Sequence, residues 1–238
     1  MTIAIAHRGD PVAHPENTLA AFHAALAQGA DMIELDCRRT KDGVIIVLHD
    51  PDLERVWGVR RRAADLRAED VAALTCSGER IPTLAEVLAQ IALPVMVDVA
   101  DPGIIADVFA QVEASGATER CLFAGHLRAL EWLRATRKDV RIALSWGRIR
   151  RPSRALLDAL RPEYFNPRYH FVDDKVIAAM HGLGIGVSTW TVDDERRMRE
   201  LAAAGVDAII SNRVGTLVPV LRAGAARAER TEEESRGR

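Results

Sequence analysis

The chain has 238 residues, 48% of them apolar and 28% charged, with a formal charge of −2. That length suits one α/β barrel of about 250 residues. The near-neutral charge excludes a whole-molecule pull towards nucleic acid or anionic membrane, so any basic surface is local. Three cysteines without a close pair, Cys37, Cys76 and Cys121, exclude a disulfide framework and a zinc site, and read as reduced packing residues.

Along the chain, Ile3–Ala6 reads as a strand, and no basic leader or signal-length apolar run precedes it, which points to a cytoplasmic protein. A helix near 17–28 ends at Gly29, and a second strand, Met32–Asp36, follows. Only Cys37 to Gly43 separate it from Val44–Leu48, too few residues for a crossover helix, so Lys41-Asp42-Gly43 is a tight turn in a hairpin. Thr83 and Glu86 form a capping box, opening a helix striped by Leu84, Val87, Leu88 and Ile91. From there strand and helix alternate: Val95–Val99, the stripe Ile104 to Val112, Cys121–Ala124, 127–137, Arg141–Ser145, 153–160, Tyr164–Asn166, 173–181, Gly186–Thr189, 193–204, Ala208–Ile210 and 215–224. The longest uncharged run, Val176 to Val192, is broken by His181 and three glycines, so it is helix, turn and strand and no integral membrane segment.

The alternation predicts a TIM-type (β/α)8 barrel, closed by eight of the nine strands, with one irregular hairpin connection after the second strand. Residues 1–224 form the single domain, and 225–238, which lack an apolar stripe, are expected to be a solvated tail. In such a barrel the C-terminal strand ends share one mouth, and His7, Glu34, Asp36, His49 and Asp98 all fall at or near such ends. Glu34 and Asp36 are two apart on one strand and project to the same side, where they can share a hard cation. Oxygen ligands favour Mg²⁺ or Ca²⁺, and a histidine nearby admits a softer ion such as Mn²⁺. Two histidines can pass a proton between an attacking and a leaving oxygen, and Arg8 can neutralise a phosphate. Carboxylates that interrupt apolar strands at converging ends would be costly to bury without such a use.

The ordered motifs His7-Arg8-Gly9, Pro15-Glu16-Asn17-Thr18, Glu34-x-Asp36, Lys41-Asp42-Gly43 and His49-Asp50 resemble those of the glycerophosphodiester phosphodiesterase family. The resemblance continues through Ile81-Pro82-Thr83-Leu84, Trp190-Thr191-Val192 and Gly205-Val206-Asp207-Ala208-Ile209-Ile210, and covers residues 3 to about 218. It implies a barrel that uses a divalent cation to cleave a small phosphodiester into sn-glycerol 3-phosphate and an alcohol. It further implies that His7 and His49 are the acid/base pair, that Glu34 and Asp36 bind the metal, and that Arg8 contacts phosphate. Glu16 and Asn17 are expected to support the His7 loop by hydrogen bonding.

Four departures fall at the mouth. Where the family places a glutamate, with lysine two residues on, this chain has Asp98 and Ala100. Asp98 remains a third candidate ligand, its carboxylate drawn back by roughly 1.5 Å. The family's Ser-Phe is matched by Ala124-Gly125, followed by His126, and its Thr-Asp by Ser211-Asn212. His126 and Trp190 are therefore substrate-contact candidates in a remodelled pocket, and Arg148, Arg150, Arg151, Arg168 and His170 are candidates to line the same rim in place of the lysine. Competing readings are a cyclising phospholipase, a specialised hydrolase for a related diester, and a barrel that binds a phosphorylated ligand without cleaving it. Neither an amphipathic membrane anchor nor a nucleic-acid surface stands out.

Overall fold

Strict in-and-out alternation along short apolar strands builds the molecule. In the computed structural model, which describes residues 2–224, eight strands run parallel: β1 (Ile3–His7), β2 (Met32–Arg39), β3 (Val95–Val99), β4 (Cys121–Gly125), β5 (Arg141–Trp146), β6 (Tyr164–Pro167), β7 (Gly186–Thr189) and β8 (Ala208–Ser211). Each pairs with its neighbours, and β1 pairs with both β2 (His7 beside Glu34) and β8 (Ala6 beside Ser211), which closes the barrel. One set of side chains, including Ile5, Met32, Met96, Leu122, Ala143 and Ala208, fills the interior. The other set, including Ile33, Val97, Phe123, Leu144 and Ile209, packs outward against the helices.

Those helices are α1 (Leu19–Ala27), α2 (Leu84–Gln90), α3 (Ile105–Ala114), α4 (Leu127–Thr136), α5 (Arg154–Leu160), α6 (Asp174–His181), α7 (Glu195–Ala203) and α8 over 214–224. Thr83 and Glu86 form the expected capping box of α2. The start of α1 differs from expectation. Asn17 sits at φ +61° and spends its side chain on Asp36, so Thr18 becomes the cap and the helix begins at Leu19.

The ninth strand is the hairpin. Ile45–Val47 runs antiparallel to the end of β2, with Cys37 beside Val47 and Arg39 beside Ile45, and lies outside the barrel. Beyond it, residues 49–83 form an excursion with two short hairpins and the short helices Glu54–Trp57 and Ala68–Ala72. This segment has its own apolar cluster of Ile46, Leu48, Leu53, Trp57, Leu66, Val71 and Ile81. The expected tail, 225–238, lies outside the described residues.

Candidate active site

The β1 turn is built for proximity. Gly9 has φ +84°, and a Cβ there would stand 2.6 Å from the Ala21 carbonyl carbon, so only glycine lets the turn lie against α1. Arg8 adopts φ +57°, and its amide donates to the carbonyl and the carboxylate of Glu34 at 3.0 and 3.1 Å. Its guanidinium is thereby turned over the carboxylates: Nη1 donates to Glu16 Oε1 at 3.0 Å, and Nε lies 3.0 Å from Asp36 Oδ2. Asn17 Nδ2 donates to the same Asp36 oxygen at 3.0 Å. Of the two residues expected to support the His7 loop, Glu16 is bonded to Arg8 and Asn17 to Asp36.

The hairpin strand delivers His49. Leu48 N donates to Asp36 O at 2.9 Å, and Arg38 grips the His49 carbonyl, with its Nε at 2.9 Å. This places the imidazole beside the inward carboxylates of β2. His49 Nδ1 donates to Asp50 Oδ1 at 2.7 Å, and Asp50 is held by Arg55 Nε at 2.6 Å. Arg55 also clamps Glu16 with both of its terminal nitrogens, at 2.9 and 2.6 Å. His7 Nδ1 makes a matching bond of 2.7 Å to Asn212 Oδ1. Asn212 Nδ2 donates to Asp193 at 2.8 Å, which fixes the amide so that its oxygen faces His7. In both histidines Nδ1 is the donor, which leaves Nε2 as the free base position. His7 Nε2 lies 3.9 Å from Glu34 Oε2.

His7, Arg8, Glu34, Asp36, His49, Asp98, His126 and Trp190 line one cavity of about 310 Å³, with Ala100, Gly125, Ser145 and Asn166. Gly125 sets the far wall. It has φ +107°, and a Cβ there would meet the Val99 backbone at 2.5 Å. The chain turns there, His126 N bonds to Val99 O at 3.0 Å, and the ring enters the cavity while its Nδ1 accepts from Arg128 N at 3.2 Å to cap α4. Trp190 is anchored through Nε1 to Asn166 O at 3.0 Å. The arginines expected on this rim are not there. Arg148, Arg151 and His170 line a separate cavity beyond β5 and β6, and Arg168 lies over the outer side of the site against Trp190, 5.2 Å from its ring centre, without lining the cavity itself.

Charge is uneven around the cavity. Burial, then the charges of Asp36 and Asp98, push Glu34 well above the usual carboxylate range, and burial with Asp36 pushes Asp98 up to about 7. Burial and Arg8 hold His7 below the ordinary imidazole value. Three carboxylates from two adjacent strands, of which Asp98 meets no hydrogen-bond donor among the described residues, fit a hard divalent cation by their chemistry. Among the described residues no three side chains already stand in ligating array, and Arg8 covers Asp36. Motif reading passed over Arg38, Arg55 and Asp193, whose partners His49, Glu16 and Asn212 lie 11, 39 and 19 positions away in the chain, beyond any local signal.

A parallel (β/α)8 barrel with imidazole, carboxylate and guanidinium groups at the C-terminal ends of its strands defines a TIM-barrel enzyme. Residues 7–216 match the Glycerophosphoryl diester phosphodiesterase family, and the chain belongs to it, an enzyme of a hydrolytic class. It is 31% identical over 245 residues to a glycerophosphodiester phosphodiesterase of Caldanaerobacter subterraneus subsp. tengcongensis, covering 94% of this chain and 99% of that one. A glycerophosphodiester phosphodiesterase structure from Agrobacterium tumefaciens superposes with a TM-score of 0.79 at 26% identity, over 91% and 99% of the two chains. An Oleispira antarctica phosphodiesterase in complex with the product sn-glycerol-3-phosphate has the same fold, with a TM-score of 0.84 at 22% identity over 93% and 97%.

Proposed function

We propose that the protein is a cation-dependent phosphodiesterase that hydrolyses a glycerophosphodiester to sn-glycerol 3-phosphate and an alcohol. The observation that carries this reading is the pair of imidazoles, His7 and His49, each with Nδ1 tied to an oxygen acceptor, in one cavity with Arg8 and three carboxylates. Glu34, Asp36 and Asp98 would hold the cation, Mg²⁺, Ca²⁺ or Mn²⁺, which when bound supplies positive charge at the non-bridging phosphoryl oxygens. Arg8, half-buried and already beside Asp36, brings the protein's own charge to the same oxygens. His7 is held neutral by burial and by Arg8, and Nε2 takes a proton from the nucleophile, which is water, or the neighbouring glycerol hydroxyl with a water then opening the resulting cyclic phosphate. His49, with a side chain 42% exposed at the mouth, protonates the departing alkoxide. His126 and Trp190 contact the substrate from the far wall, where Ala100 and Gly125 leave room.

A cytoplasmic place fits the three free cysteines, and no helix among the described residues is long and apolar enough to cross a membrane. The small side chains at Ala100 and Gly125, with His126 beside them, favour a specialised diester as the variant of this reading. The test is turnover of a panel of glycerophosphodiesters by the wild type, His7→Ala and His49→Ala. Each substitution is expected to lower kcat roughly a hundredfold to ten-thousandfold with the fold intact. Wild-type rates in either variant would refute the assignment, and a cyclic phosphate as the end product would identify a cyclising enzyme.

A further inference from the structure

Many arginines of this chain are matched with carboxylates: Arg8 with Glu16, Arg39 with Asp107, Arg80 with Glu86 and Arg141 with Glu163. The loops that leave β5 and β6 are different. Among the described residues, none of Arg148, Arg150, Arg151 and Arg168 has a carboxylate within ion-pair distance. Between the first two stands Ile149, which is 85% exposed, more than any other large apolar side chain described. The loop is held at its base. Trp146 Nε1 donates to Arg150 O at 2.8 Å, and Arg148 lies over the Trp146 ring at 5.5 Å, so Ile149 is carried outward.

Behind this tip is a cavity of about 280 Å³ whose floor includes Phe165, Val172 and Val176, with Arg148, Arg151 and His170 on its walls. Its one carboxylate, Asp173, is engaged in capping α6 through Val176 N at 2.7 Å. The cluster lies at the C-terminal end of the barrel, as the active cavity does: Ser145 lines that cavity, and the next residue, Trp146, lines this one. On the opposite side of the ring, the loop after β1 presents Val12, 70% exposed.

We propose that this end of the barrel docks on an anionic lipid surface, with Ile149 entering the headgroup layer and Arg148, Arg150, Arg151 and Arg168 held against lipid phosphates. Charge complementarity selects an anionic partner, and the projecting aliphatic tip selects lipid over nucleic acid, since isoleucine gains from an apolar layer and nothing from a phosphate backbone. Docking needs no turnover. Joined to the proposed chemistry, it makes a diester presented at a bilayer the substrate class.

The experiment is co-sedimentation of the full chain with vesicles of mixed phosphatidylglycerol and phosphatidylcholine, beside vesicles of phosphatidylcholine alone. Binding is expected on the anionic vesicles only and should weaken as salt is raised. Replacing Arg148 and Arg151 with glutamate should weaken it by at least roughly fivefold per residue, and Ile149→Asp should release the protein with the arginines intact. Unchanged melting temperatures of these variants report that the fold survives. Equal binding to both vesicle types, no binding to the anionic ones, or variants that bind like the wild type would overturn the proposal. A DNA duplex bound as tightly as the anionic vesicles, without loss in Ile149→Asp, would reveal a general polyanion surface and overturn it too. Because binding is read directly, failure here is separable from failure of the catalytic reading.

Discussion

At the scale of single residues, Asn212 decides which nitrogen of His7 is available. Its amide is oriented by Asp193, so its oxygen accepts from His7 Nδ1 and leaves Nε2 unprotonated towards Glu34. Asn212→Ala frees the ring and is expected to lower kcat/KM roughly tenfold to a hundredfold, the usual cost of losing an orienting partner. Burial and Arg8 lower the His7 pKa, so the acidic limb of the kcat/KM profile should lie below 6.5. Asn212→Asp adds a negative charge and should move that limb upward; a pH profile identical in all three proteins would contradict the role. The residues that interrupt strands, His7, Glu34, Asp36 and Asp98, were legible because a charge at an apolar strand end is anomalous. The contact from Asn212 to His7 spans 205 positions, and the clamp from Arg55 to Glu16 spans 39, and no local pattern announces either. The rim arginines misled for a related reason: sequence places them after the right strands but does not say on which side of the ring they fall.

At the scale of elements, long periodic segments were readable and short ones were not. All eight barrel strands and the capping box of α2 follow from alternation and from the Thr83 and Glu86 spacing. The excursion over 49–83 is made of elements of two to five residues, too short to show a period, and is stabilised by the cluster around Leu53, Trp57 and Leu66. The capping box carries a measurable pH signature. Two hydrogen bonds from Arg80, at 3.1 and 2.5 Å, hold the Glu86 carboxyl at about 2, against an ordinary 4.5. Ionised Glu86 therefore contributes its full stabilisation above 4.5 and loses it as pH falls through that window towards 2. In urea unfolding, Glu86→Gln should be less stable than wild type at neutral pH, with the gap closing across the same window. A gap that persists at the acid end, or is absent at neutral pH, would contradict the linkage.

At the scale of the whole molecule, a closed barrel makes the scaffold and one irregular connection completes the site. Closure through β1 brings His7 beside Glu34, while the hairpin after β2 carries His49 back to Asp36, so groups far apart in the chain share a cavity of about 310 Å³. The fold class and the hairpin were both legible in the chain, but the size and lining of the cavity depend on Gly125, whose turn only the packed structure reveals. We expect this cavity to release a phosphomonoester only with a divalent cation bound. Phosphorus NMR of a glycerophosphodiester incubated with EDTA-treated protein, before and after adding Mg²⁺, Ca²⁺ or Mn²⁺, tests it most directly. No turnover is expected without the ion, and a growing phosphomonoester resonance with it. Full turnover in EDTA, or none with any of the three ions across a panel of diesters, would contradict it.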